Sequence, residues 1–61
     1  MRIILDGMGG DNAPLEIIKG SMLAVDEYGI DELVLLGDEA VINNCVKDNG
    51  IALKNTRIVN C

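Results

Sequence analysis

The sequence predicts an α/β fold of the type βαβαβ, the front end of a doubly wound, three-layer parallel-sheet domain. Three observations support this: short apolar segments alternate with segments of helical periodicity, glycines separate them, and 49% of the 61 residues are apolar. Alternating strands and helices of this kind build parallel sheets through right-handed crossovers. We therefore expect residues 1–61 to be the N-terminal portion of a single α/β domain, cut after its third strand.

The first strand is predicted at Arg2–Asp6, which is short, apolar and followed by glycine, as is typical of a strand buried on both faces. In the helix that follows, Pro14 occupies the first turn, with Asn12 or Ala13 as the cap. The helix carries an apolar stripe formed by Leu15, Ile18, Met22 and Val25 and widened by Ile17, Ala24 and Tyr28. Gly29 ends it, because the position after a helix favours a left-handed residue.

The second half of the chain repeats this pattern. A buried strand is predicted at Glu32–Gly37, and Asp38 can cap the next helix, which Gly50 ends. The apolar face of this helix comprises Val41, Ile42, Cys45 and Val46. A third strand is predicted at 56–61, which completes a Rossmann-like order of elements.

Charge and composition exclude several classes of function. Ten acidic and five basic residues give a net charge of −5, which opposes binding to nucleic acid or to an anionic membrane surface. A single tyrosine is the only aromatic residue, too few for a base-stacking platform. Cys45 and Cys61 fit no zinc or redox spacing and the chain has no histidine, so we expect no metal, no cofactor and two free thiols in a reduced, cytoplasmic chain.

The glycine loop, residues 7–13, is the segment most suited to chemistry. It joins a predicted strand to a helix N-terminus, and Gly7, Gly9 and Gly10 permit positive φ and the close approach of a ligand. The amides of a helix start suit a phosphate or carboxylate, and such loops lie at the ligand-binding edge of an open α/β sheet. The alternative is that these glycines only permit a tight turn.

Nucleotide fingerprints fit this loop poorly. A dinucleotide-binding motif requires glycine where Asn12 stands, and no Gly-Lys-Ser/Thr follows to form a P-loop. Asp38 follows the second strand, where a ribose-binding acid would sit, but it lies well beyond the usual interval of about 20 residues. Capping the second helix accounts for Asp38 equally well.

Three polar side chains flank the loop, and each has two possible roles. Asp6 ends a strand expected to be buried, where it braces the loop by accepting hydrogen bonds or takes part in catalysis. Asp11 either caps the helix or contacts a phosphate, which requires a shared proton or a cation because two anions repel. Asn12 either donates to an oxyanion or caps the helix.

The segment Leu5–Pro14, which reads LDGMGGDNAP, resembles the N-terminal signature of the PlsX family of bacterial phosphate acyltransferases, approximately VDAMGGDxAP. The later Leu36–Glu39 is similar to the family's G-D-E after a strand, a less specific match. Gly7 departs from the family, which usually has alanine there. Family members are several times longer, so the resemblance covers only their first part.

The resemblance implies transfer of a long-chain acyl group from acyl carrier protein to inorganic phosphate, giving an acyl phosphate for phospholipid synthesis. It implies a homodimer and peripheral membrane association in full-length members. We expect no turnover by these 61 residues alone, because one loop cannot enclose the reaction. Gly9 and Gly10, with Gly7 and Met8, would contact phosphate or oxyanion. Asp11 and Asn12 would be the catalytic residues that orient phosphate, and Asp6 would support the loop. The alternatives are a non-catalytic anion-binding fragment and a nucleotide-binding module.

Overall fold

The computed structural model describes residues 1–10 and 13–61. Its elements follow in the order β1 (Arg2–Asp6), α1 (Leu15–Tyr28), β2 (Glu32–Gly37), α2 (Glu39–Asp48) and β3 (Thr56–Asn60). The three strands form one parallel sheet in the order β1-β2-β3. The predicted βαβαβ fold with a parallel sheet is confirmed, and the third strand ends one residue before its predicted end.

Both helices pack on the same face of the sheet. One core cluster joins Ile18 and Val25 of α1 to Ile42 of α2 and to Leu33 and Leu35 of β2. Since the strands follow one another in one direction across the sheet, the two crossovers have the same hand. The described residues thus supply two layers, the sheet and one layer of helices.

Burial differs between the strands, and here one prediction is wrong. The central strand β2 is buried along most of its length, whereas β1 is exposed except for the half-buried Ile3. The reason is position: β1 is an edge strand with a neighbour on one side only, so Ile4 on the face away from the helices is 60% exposed. An apolar segment alone does not distinguish an edge strand from a central one.

The helix ends agree with the predicted signals, with one shift. Gly29 follows α1 in the left-handed conformation, with φ 63° and ψ 44°. The cap predicted at Asn12 or Ala13 is wrong: Pro14 is the N-cap, because its carbonyl accepts the first helical hydrogen bond from Ile18 N at 3.0 Å. Tyr28, expected to widen the apolar stripe, is instead 65% exposed.

The remaining features are an apolar groove, two thiols and the lengths of the helices. An apolar groove of about 360 Å³ lies between β1 and α1, lined by residues that include Ile3, Leu5 and Ala24. Both Cys45 and Cys61 are free thiols, as expected. Within the described ranges, no helix has the length and apolar character that crossing a bilayer requires.

Candidate functional site

The glycine loop leaves the carboxyl end of β1 and stays attached to the sheet at its first residue. Gly7 is buried, and its amide donates to the Leu36 carbonyl at 2.8 Å, which prolongs the β1–β2 pairing by one step. Gly9 and Gly10 are exposed, so the loop turns its middle part to solvent. Asp11 and Asn12, the two predicted catalytic residues, lie outside the described residues.

The Asp6 side chain contacts this turn. Its Oδ1 accepts a hydrogen bond from the Met8 amide at 2.9 Å, and a Cβ added at Gly9 would lie 3.7 Å from its Oδ2. The expectation that Asp6 is buried is wrong, because its side chain is exposed at the edge strand. A solvated carboxylate carries no desolvation cost, so Asp6 needs no cation beside it.

Gly10 and the start of α1 complete the loop. Gly10 has a φ of +99°, a conformation that L side chains rarely adopt, and a Cβ there would meet no described atom within 4 Å. Glycine at this position is therefore required by the backbone rather than by crowding. Helix α1 begins at Leu15, five residues after Gly10, and the first amides of a helix point out of its N-terminus with partial positive charge.

The N-terminus of α2 also lies at this edge of the sheet, but its amides are already engaged. Asp38 Oδ1 accepts from Ala40 N at 3.0 Å and from Val41 N at 3.2 Å. Asn60 Oδ1, from the end of β3, accepts from Glu39 N at 2.9 Å. The predicted cap role of Asp38 is confirmed. These contacts leave the glycine loop and α1 as the part of this edge suited to an anion.

The contact that seats the loop on the sheet was not predicted from the sequence. A Cβ added at Gly37, the last residue of β2, would lie 2.6 Å from Met8 Cγ and 3.2 Å from Met8 Sδ. The Met8 side chain therefore lies directly over Gly37. Ile42 Cδ1 is also close, at 3.1 Å from the same Cβ position and 3.3 Å from one built on Gly7. The one local signal of this contact is the glycine that ends β2, and a glycine at a strand end is equally typical of an ordinary turn.

An ion pair lies at the amino ends of the strands, at the opposite end of the sheet from the loop. Asp31 lies next to the chain's ammonium group, with Oδ2 at 2.5 Å from Met1 N. The hydrogen bond from that ammonium and its charge lower the pKa of Asp31 below its ordinary value of 3.8. This ion pair is exposed, and it ties the start of β1 to the segment before β2.

Taken together, the fold and the loop define an α/β protein with a glycine-rich loop at the carboxyl edge of a parallel sheet. The family described as fatty acid synthesis protein matches residues 1–61. The chain belongs to this family.

Individual relatives agree with the family match. A phosphate acyltransferase of Halothermothrix orenii is 56% identical over 43 residues, which cover 70% of this chain and 13% of the relative. One from Listeria monocytogenes is 50% identical over 48 residues, covering 79% of this chain and 14% of the relative. One from Thermoanaerobacter pseudethanolicus is 52% identical over 42 residues. The chain thus spans about one seventh of the length of these curated relatives, and the resemblance drawn from Leu5–Pro14 is confirmed.

Proposed function

We propose that this chain forms the phosphate-binding part of a phosphate acyltransferase, which transfers a fatty acyl group from acyl carrier protein to inorganic phosphate. The observation that carries the proposal is the exposed turn at Gly9 and Gly10, placed between the carboxyl end of β1 and the N-terminus of α1. Family membership supports it, since the relatives described above are named phosphate acyltransferases.

The chemistry requires two kinds of stabilisation. A phosphate oxygen attacks the thioester carbonyl carbon and forms a tetrahedral oxyanion, after which the C–S bond breaks and the carrier thiolate leaves and takes up a proton. Amide donors aimed at the phosphate and at the oxyanion lower this barrier. The amides of Gly9 and Gly10 supply such donors in our proposal, and Gly7 and Met8 shape the turn that presents them. Asp6 supports the turn through its bond to the Met8 amide.

Asp11 and Asn12 are assigned the catalytic roles. Asn12 donates to a phosphate oxygen or to the oxyanion. Asp11 orients a protonated phosphate oxygen through a shared proton, because an ionised carboxylate would repel a phosphate dianion. Acyl carrier protein and a long-chain acyl group are the partners, and we place the full-length protein in the cytoplasm as a homodimer, with peripheral membrane association.

The glycine loop alone does not enclose the reacting groups. We therefore propose that residues 1–61 by themselves have no turnover, and that acyl phosphate forms only when the longer protein completes the site. Robust acyl phosphate production by the purified 61-residue chain would contradict this part of the proposal.

The test combines an activity assay with a matched pair of variants in the full-length protein. Acyl phosphate formation from acyl-acyl carrier protein should depend on inorganic phosphate. Gly10→Ala and Gly50→Ala both force an L side chain into a positive φ, +99° and +61° respectively, but only Gly10 lies in the loop. Gly10→Ala should weaken phosphate binding, and Gly50→Ala should leave it unchanged.

Two results would reject the proposal. One is an active wild-type protein whose turnover does not require phosphate, and the other is equal phosphate affinity in the two glycine variants. A two-dimensional amide NMR titration adds a direct reading, with Gly9, Gly10 and Asp11 expected to move on addition of phosphate. A dinucleotide serves as the comparison ligand, and movement with the dinucleotide alone would favour nucleotide binding instead.

A further inference from the structure

We infer that Met8 and Gly37 form a packing contact that positions the glycine loop for its anion, so that Gly37 is a positioning residue although it lies on β2. The inference rests on the proposed function for the identity of the anion. Its structural part stands on the distances between the loop, β2 and α2.

The contact is closer than any side chain at position 37 permits. Nonbonded carbon atoms settle at about 3.5–4.0 Å, whereas a Cβ at Gly37 would lie 2.6 Å from Met8 Cγ. The clash involves Cγ and Sδ, the middle of the Met8 side chain. Relief requires the Met8 side chain to leave its seat, and in our inference the adjoining loop backbone shifts because that contact is lost.

Ile42 of α2 also contacts the position that a side chain at 37 would occupy. Its side chain is fully buried, and its Cδ1 lies 3.1 Å from the Cβ position of Gly37. A residue larger than glycine at 37 thus meets both Met8 of the loop and Ile42 of α2. An added methyl in a packed site forces side chains off their rotamers or shifts the backbone, and the least constrained group moves most easily. Here that part is Met8, which is 41% exposed.

Met8 also connects this seat to the ligand-facing turn. Its amide donates to Asp6 Oδ1 at 2.9 Å, and the residue that follows it is Gly9. The backbone of Met8 is thus held by β1 and its side chain by β2. When the side-chain seat is lost, the turn keeps the bond of the Met8 amide to Asp6 and that of the Gly7 amide to Leu36 but loses its side-chain contact with Gly37, and the Gly9 and Gly10 amides change direction.

The experiment uses the full-length protein with inorganic phosphate as the probe. Gly37→Ala should move the amide resonances of Gly9 and Gly10 in the ligand-free protein. It should also raise KM for phosphate roughly tenfold, with a smaller change in kcat at saturating phosphate, because misdirected donors weaken binding before they affect chemistry. Gly20→Ala is the matched control, since a Cβ there meets no described atom within 4 Å.

A second pair of variants tests the same contact from the loop side. Met8→Leu keeps a side chain of similar volume over Gly37 and should retain the phosphate KM of the wild type. Met8→Ala removes the seat and should raise that KM. Met8→Ala and Gly37→Ala disrupt the same contact. The double variant should therefore have a phosphate KM no higher than that of the more severe single variant.

The outcomes separate the inference from the proposed function. A folded Gly37→Ala protein with wild-type resonances and wild-type phosphate KM overturns the inference and leaves the proposed function intact. If Gly37→Ala does not fold, Met8→Ala with an unchanged phosphate KM overturns it equally. A wild-type protein that neither binds phosphate nor forms acyl phosphate removes the proposed function, and with it the assignment of phosphate to this loop.

Discussion

The cap of α2 gives the sharpest quantitative prediction. Asp38→Ala removes the acceptor of the hydrogen bonds from Ala40 N and Val41 N. Loss of an N-cap costs about 1 kcal/mol, within a range of roughly 0.5–2. The value should fall in the middle of that range, because these amides are exposed and water replaces part of what is lost.

Two milder variants test the charge of Asp38 and the separate hydrogen bond from Glu39 N to Asn60 at the same helix end. Asp38→Asn keeps an acceptor but removes the negative charge at the helix N-terminus, a loss of about 0.3–1 kcal/mol that added salt should reduce. Asn60→Ala removes the single bond to Glu39 N, with an expected cost of about 0.5 kcal/mol, the low end for an exposed hydrogen bond. The expected order of destabilisation is therefore Asp38→Ala first, with the two milder variants below it.

Urea unfolding of the protein provides the assay. For a slope of about 1–3 kcal/mol per molar urea, a loss of about 1 kcal/mol lowers the midpoint by roughly 0.3–1 M. Equal midpoints for Asp38→Ala and wild type would refute the assignment of Asp38 as the cap. Equal losses for Asp38→Ala and Asp38→Asn would show that charge, and not the two hydrogen bonds, supplies the stabilisation.

Three further expectations concern other parts of the chain. Gly20→Ala should stabilise the protein by up to about 1 kcal/mol in urea unfolding, because Gly20 lies inside α1 with open space around it; a loss of stability would contradict this. Leu35→Ala should cost about 2–5 kcal/mol by the same measurement, since Leu35 is fully buried in the central strand; a cost below about 1 kcal/mol, at the scale of an ordinary surface change, would contradict the assigned core. Asp31 has a lowered pKa in the folded protein, so its ion pair stabilises the fold fully above pH 3.8, and this contribution disappears as pH falls through the folded pKa. NMR titration of the Asp31 carboxyl should show the lowered pKa, and Asp31→Asn should remove this part of the loss of stability in acid. An unshifted titration would refute the expectation.

Local chemistry made much of this fold predictable. Gly29 ends α1 and Asp38 caps α2 as expected, because both signals depend on the backbone of one turn and on no distant residue. The cap of α1 was misplaced by one or two residues, since Pro14, with no side-chain acceptor, takes that position. Signals of this kind indicate reliably that a helix begins or ends, but less reliably at which residue it does so.

Contacts between segments distant in the chain could not be predicted from the sequence. Asn60 lies 21 residues after Glu39, and no local pattern pairs a strand-end amide with the first amide of a helix. The seat of Met8 on Gly37 likewise requires the loop after β1 to meet the end of β2. Such contacts depend on strand order and register, which are properties of the assembled sheet.

The sequence by itself determined the order of elements, their end signals and the family, because periodicity, turn residues and a long motif are all local properties. It also placed the glycine loop between a strand and a helix. Only the tertiary structure decided that β1 is an exposed edge, that Asp6 is solvated, and that Asn60 joins Asp38 at the N-terminus of α2. Burial and side-chain partnership arise between segments far apart in the chain, so they appear only when the strands are placed side by side.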